Sequence, residues 1–186
     1  MKKFELTTEF ITNMFGKKLF RIKALVEFGN VKAGELGGYV EKEENVSQDG
    51  NAWVSGDARV YGDAEVSGNA RVSGNARVYG NAEVYGDAWV SGNAWVYGNA
   101  RVSGNAWVSS DADYALVQGF GTEFRCTTFY RGKNKKIMVN CGCFHGDLEG
   151  FRKQVKETRN GKIAKEYLMI ADLMEYHFTS EDSSNE

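Results

Sequence analysis

A valine stands at every sixth position, without a gap, from Val54 to Val108. No helix can use that spacing, because a six-residue apolar period does not track 3.6 residues per turn. Alanine precedes each valine by two, from Ala52 to Ala106, and glycine follows each by two until Ser110 ends the run. Glycine recurring inside a helix would cost about 1 kcal/mol each time. In an extended segment, residues two apart share a face, so each Ala and Val point one way and the residues between and after them point the other. Gly followed by Asn or Asp supplies the corner after every strand. The unit is a short strand and a turn, repeated as a solenoid.

A second period counts the strands in one coil. The residue after each valine reads Ser, Tyr, Ser, Ser, Tyr, Tyr, Ser, Tyr, Ser, Ser from Ser55 to Ser109, repeating every third hexad except at Tyr85. Eighteen residues therefore make one turn of a three-sided parallel β-helix. With coils stacked at about 4.8 Å, the first face carries Trp53, Arg71, Trp89 and Trp107 beside Ser55, Ser73, Ser91 and Ser109. The second carries Arg59, Arg77 and Trp95 beside Tyr61, Tyr79 and Tyr97. The third carries Glu65, Glu83 and Arg101 beside Ser67, Tyr85 and Ser103. The corners agree with this register: Asn51, Asn69, Asp87 and Asn105 form one column, and no column sets Asp on Asp. Asparagines can bond along such a stack, whereas carboxylates would repel.

Composition excludes several functions. A formal net charge of −2 lacks the basic excess of a nucleic-acid binder. Glu5 and Glu9 interrupt the opening residues, and no apolar run reaches 18 residues, so we expect a soluble, cytoplasmic protein without a membrane segment. Cys126, Cys141 and Cys143 are too few and too clustered for a secreted disulfide framework.

The flanks break the repeat. We expect residues 1–33 to form an N-terminal β cap, with a strand around Phe4 and Leu6, a turn at Asn13 to Gly16 and a strand Leu19 to Leu25. The β-helix is expected over residues 34–112, with Gly34 to Gly50 as an imperfect first coil around Val40 and Val46. Residues 113–178 read as an α+β cap: a hairpin of Phe124 to Tyr130 with Ile137 to Cys143, then helices over Asp147 to Arg159 and Lys162 to Phe178. Residues 179–186 are expected to be a flexible tail.

With aliphatic and small residues inward in each hexad, the segment resembles the left-handed β-helix of hexapeptide-repeat proteins. The opening Lys-Phe-Glu-Leu, the Gly-Asn-Ala hexads, the Cys-Gly-Cys-Phe run and Glu-Tyr-Leu are similar to proteins encoded by bacteriophages and prophages. The first likeness implies a left-handed coil and raises coenzyme A-dependent acyl transfer, or metal-dependent carbonic anhydrase chemistry. Both need histidines between coils, and His145 and His177 lie outside the repeats. Ice binding would call for threonine ladders, and residues 52–109 contain no Thr. Cys141, Cys143 and His145 alternate as on one strand, and a hairpin centred on Lys133-Asn134 would set Cys126 opposite Cys141. Strand neighbours two apart lie about 6.6 Å apart, wide for one zinc, so inert cysteines are expected, with no metal and no cofactor.

The outward columns ask for a partner. Exposed Trp53, Trp89, Trp107, Trp95 and a tyrosine ladder would form apolar faces of the kind that mark interfaces or ligand surfaces. Arg59 above Arg77 and Glu65 above Glu83 are unfavourable without an opposite charge. The expectation is a non-enzymatic, homo-oligomeric binding protein, a trimer, holding a small anionic ligand such as a nucleotide signal of antiviral defence. Its site would comprise Arg59, Tyr61, Arg77, Tyr79, Trp95 and Tyr97, with Trp53, Arg71, Trp89 and Trp107 on the adjoining face. The alternative is an assembly scaffold that meets only protein.

Overall fold

Each hexad drives its alanine and valine inward, and from Ala52 to Val108 all of these side chains are buried. The computed structural model describes residues 2–179. Ten two-residue strands, β4 (Trp53–Val54) to β13 (Trp107–Val108), follow one per hexad. They pair in parallel at a separation of eighteen residues, as in Val60 with Val78 and Val78 with Val96. Three sheets result: β4, β7, β10 and β13 on one side, β5, β8 and β11 on the second, β6, β9 and β12 on the third. The ladder runs on past the strands, with the Tyr79 and Asn81 amides donating to the carbonyls of Val96 and Gly98 at 3.0 and 2.8 Å. Coil closure depends on glycine. Gly80 has φ +75°, and a Cβ there would stand 3.1 Å from the Gly98 nitrogen one coil away. Corner asparagines bond along the stack as expected, Asn51 to Asn69 and Asn69 to Asp87 at 2.9 Å, Asn75 to Asn93 at 3.2 Å and Asn81 to Asn99 at 3.1 Å.

The N-terminal residues cover the first coil. Strands β1 (Phe4–Thr12) and β2 (Lys18–Ala24) form an antiparallel hairpin, and β3 (Leu36–Val40) pairs antiparallel to β2 and parallel to β5. One six-stranded sheet thus runs from β1 through the solenoid's second face, so the cap is continuous with the coils. Gly34 to Gly50 is the imperfect first coil: Val40 pairs with Val60, and Val46 bridges to Val66. Here the buried Asn45 amide donates to the carbonyls of Gly62 and Ala64 at 3.0 and 2.8 Å. It satisfies acceptors that a regular hexad would have met with its backbone.

Lys3 is the cap's buried cation, only 4% exposed, its ammonium donating to the carbonyls of Ala52 at 2.9 Å and of Asp49 and Gly50 at 3.4 Å. Burial pushes its pKa down to about 8, with Asp49 opposing the shift and Arg71 adding to it. Because the folded state disfavours the charge, the unfolded chain binds the extra proton between about pH 8 and the ordinary value of 10.5, and stability rises with pH across that window. The difference in urea midpoint between the wild type and Lys3→Met is therefore expected to grow in favour of the wild type from pH 8 to 10.5. A flat difference would show that the ammonium is solvated.

The chain divides into two compact units, residues 1–111 and the chain from 112 onward. In the second, β14 (Tyr114–Phe120), β15 (Arg125–Arg131), β16 (Ile137–Cys141) and β17 (Phe144–Asp147) form an antiparallel meander, followed by α1 (Leu148–Thr158) and α2 (Gly161–Thr179). Phe129, Val139, Phe151, Val155, Ile170 and Met174 share its core. The Asp147 side chain caps α1 by accepting from the Gly150 amide at 2.9 Å. Arg152 fastens the two helices, bonding Glu149 at 3.0 Å on α1 and Asp172 and Glu175 at 2.7 and 2.8 Å on α2.

Several expectations need correction here. The sheet has four strands rather than one hairpin, because β14 and β17 lack clean alternation in sequence. Cys141 faces Thr127, not Cys126, since Lys135 takes φ +61° and the turn centres on Asn134. Nor do Cys141, Cys143 and His145 share a strand: the chain reverses after Cys141 through Gly142, at φ +60°, and His145 comes to lie opposite Asn140. Helix α2 takes in Thr179, and the rest of the expected tail, residues 180–186, lies outside the described residues.

Candidate functional site

The residues singled out on the solenoid stand in the columns that an eighteen-residue coil requires. On the second face the rings of Tyr61, Tyr79 and Tyr97 stack at centroid spacings of 5.0 and 5.3 Å, the first pair within 3° of parallel. Beside them Arg59 pairs in register with Arg77, and Arg77 with Trp95. The Arg77 guanidinium lies over the Trp95 ring, 4.5 Å from its centroid. On the first face Arg71 stands between Trp53 and Trp89, and Trp89 stacks on Trp107 at 5.3 Å. The Trp89 indole also donates to the Ser73 hydroxyl at 3.1 Å.

Two of these residues are not where an outward column would leave them. Trp53 is 1% exposed, enclosed by the edges of Phe4 and Phe28 at 6.2 and 5.4 Å. Tyr61 is 7% exposed, packed in a cluster with Leu19 and Tyr39. Both point away from the coil core, as the alternation requires, but the N-terminal strands fold over them. The column members two and three coils further on stay open: Trp89 and Trp107 are 44% and 41% exposed, and Tyr97, two coils from Tyr61, is 47% exposed. The accessible set is therefore Arg59, Arg77, Tyr79, Trp95 and Tyr97 on one face and Arg71, Trp89 and Trp107 on the other.

Charge is distributed unevenly over the same faces. Glu65 pairs in register with Glu83, but Glu83 meets Arg101 at 3.0 Å within its own column. Among the described residues Arg59, Arg71 and Arg77 form no ion pair. Burial raises the pKa of the Tyr61 hydroxyl, with Tyr79 adding and Arg77 and Arg59 opposing. It raises Tyr79 too, with Tyr97 adding and Arg77 opposing. Arg77 thus projects positive potential over two rings of the ladder. The last coil's edge is closed by a side chain, Asp111 accepting the Trp95 amide at 2.7 Å. Sequence reasoning passed over Asp111 because it follows the last regular hexad.

Among the described residues no three of His, Cys, Asp and Glu converge to hold a metal. No helix among the described residues is long and apolar enough to cross a membrane. What the faces can do is stack against flat groups and hold negative charge.

In the comparisons with known proteins, residues 64–79, 70–86, 76–92 and 94–110 match the YdcK Beta solenoid repeat family. The chain is similar to that family across the stretch where the columns are most regular, and it is a solenoid repeat protein. No curated protein matches it.

Proposed function

We propose that this chain is a non-enzymatic binding protein whose second solenoid face takes a small anionic ligand carrying a flat ring. The observation that carries the reading is Arg59 standing in register on Arg77 with no carboxylate paired to either among the described residues. Two stacked guanidiniums repel, and an oxyanion between them would turn that repulsion into charge-assisted hydrogen bonding. Trp95 and the open end of the tyrosine ladder then supply surface for a ring. A carboxylate column from a second subunit could do the same, but Glu83 is already engaged by Arg101, which leaves Glu65 alone and favours a ligand.

In its fuller form this is a cytoplasmic protein of a bacterial host, encoded by a phage or prophage, that assembles as a trimer and sequesters a nucleotide signal of antiviral defence. The hexapeptide-repeat and phage resemblances support that form, and with them a left-handed coil. Isothermal titration of the full chain against mono-, di- and cyclic nucleotides is expected to find a binder, and Arg77→Ala should weaken it about tenfold or more, the loss of one charge-assisted contact. Unchanged binding in Arg77→Ala, or no binder in the panel, would remove the reading.

A second reading rests on the half-open Trp89 and Trp107 stack, an apolar patch suited to protein. If the chain is an assembly scaffold, Trp89→Ser with Trp107→Ser should lower its sedimentation coefficient and leave any nucleotide binding unchanged.

A further inference from the structure

The C-terminal unit holds a cleft of its own, remote in sequence from the solenoid columns. It encloses about 50 Å3 between the β14–β15 turn, the end of β16 and the two helices. Its floor is aromatic: Phe144 packs against Phe151 at 5.6 Å, and Phe151 meets Tyr167 edge-on at 5.9 Å. The Cys141 sulfur lies in the wall and accepts from the Thr127 hydroxyl at 3.1 Å. Arg125 and Arg159 stand at the mouth.

These two arginines differ from the others of the unit. Arg131 is paired with Asp113 at 3.1 Å, and Arg152 is held by three carboxylates. Among the described residues neither Arg125 nor Arg159 forms an ion pair, although Glu123 also lines the cleft. Arg125 is seated by the fold: its guanidinium crosses Gly142, where a Cβ would stand 2.5 Å from Nη1. The Tyr167 hydroxyl is already engaged, donating to the Phe120 carbonyl at 3.2 Å. Both guanidiniums act on the interior, since burial and Cys141 raise the Tyr167 hydroxyl while Arg159 and Arg125 oppose them.

Size narrows the ligand. The cleft's 50 Å3 is well below the roughly 150 Å3 that accommodates benzene, so a ring does not fit but a carboxylate or phosphate head does. We propose that this cleft is an oxyanion site, in which Arg125 and Arg159 hold the carboxylate or phosphate head of a small molecule whose remainder stays in solvent. Glu123 weakens the site and selects against a ligand that brings more negative charge to its rim. The site shares no residue with the solenoid face, so its occupancy does not depend on what that face binds.

The test uses the full chain, iodoacetamide and two probes, inorganic phosphate and acetate, with alkylation of each cysteine followed by peptide mass spectrometry. Occupancy is expected to slow labelling of Cys141 about fivefold or more, while Cys143, exposed on the turn, keeps its rate. Protection by phosphate alone assigns a phosphate-bearing ligand, and protection by acetate assigns a carboxylate. The Gly142 and Arg159 amide resonances, followed in parallel, should shift at the same concentrations. Arg125→Gln and Arg159→Gln should each raise the half-protecting concentration about tenfold or more, Glu123→Gln should lower it, and Arg71→Gln on the solenoid should leave it unchanged. Neither protection nor amide shifts with either anion would overturn the proposal, as would unaltered titrations in both arginine variants.

Discussion

Val78→Asp is expected to abolish the cooperative unfolding transition of the solenoid unit, while Arg77→Asp, one residue earlier, stays within about 1 kcal/mol of the wild type. Val78 is wholly buried between Val60 and Val96. Replacing it removes the burial of a valine, about 1.5–3 kcal/mol, and leaves a carboxylate in a narrow aliphatic column, a penalty of several kcal/mol more. Their sum is comparable with the whole stability of a typical domain, about 5–15 kcal/mol. Arg77 faces out, so the same new charge there forfeits only the contact with Trp95, about 0.5–1 kcal/mol at an exposed site. Urea denaturation followed by circular dichroism reads both variants. A Val78→Asp chain that unfolds at the wild-type midpoint would show that the valine does not face the core, and the inward column would be wrong.

Trp53→Ala should destabilise the first unit by about 3–5 kcal/mol, which for a unit of this size lowers the melting temperature by roughly 10–20 °C. Trp89→Ala, in the same column one coil from Arg71, should cost about 1 kcal/mol or less, since an exposed side chain leaves little cavity behind. The difference comes from the cap, because Phe4 and Phe28 close over Trp53 whereas Trp89 stays 44% exposed. Among the described residues the buried Trp53 indole nitrogen has no hydrogen-bond partner. Trp53→Phe should therefore fall well short of the alanine loss, because it keeps most of the packing and removes an unsatisfied donor. Equal losses for Trp53→Ala and Trp89→Ala, measured by thermal melts on the full chain, would mean that the cap does not seat on the first coil.

The columns that define the candidate face were legible from residue spacing. Tyr61, Tyr79 and Tyr97 stack because each is eighteen residues from the next, and Arg59, Arg77 and Trp95 line up for the same reason. What spacing could not reveal is which members remain open. Tyr61 and Tyr97 occupy equivalent positions in their hexads, yet one is packed with Leu19 and Tyr39 and the other is 47% exposed. The Cys126 and Cys141 pairing failed on a smaller scale, because a single left-handed residue, Lys135, moved the turn centre by half a residue.

Sequence alone determined the coil: its three sides, its inward alanines and valines, its glycine corners and the vertical order of its side chains. That was possible because a repeat states one local rule many times, and each coil adds the same constraint on register. Tertiary structure alone decided that Trp53 and Tyr61 are buried, that Lys3 and Asn45 close the first coil, and that Arg125 and Arg159 meet at one cleft. Those outcomes depend on single contacts between segments distant in the chain, where no period exists to announce them and packing selects one arrangement among many.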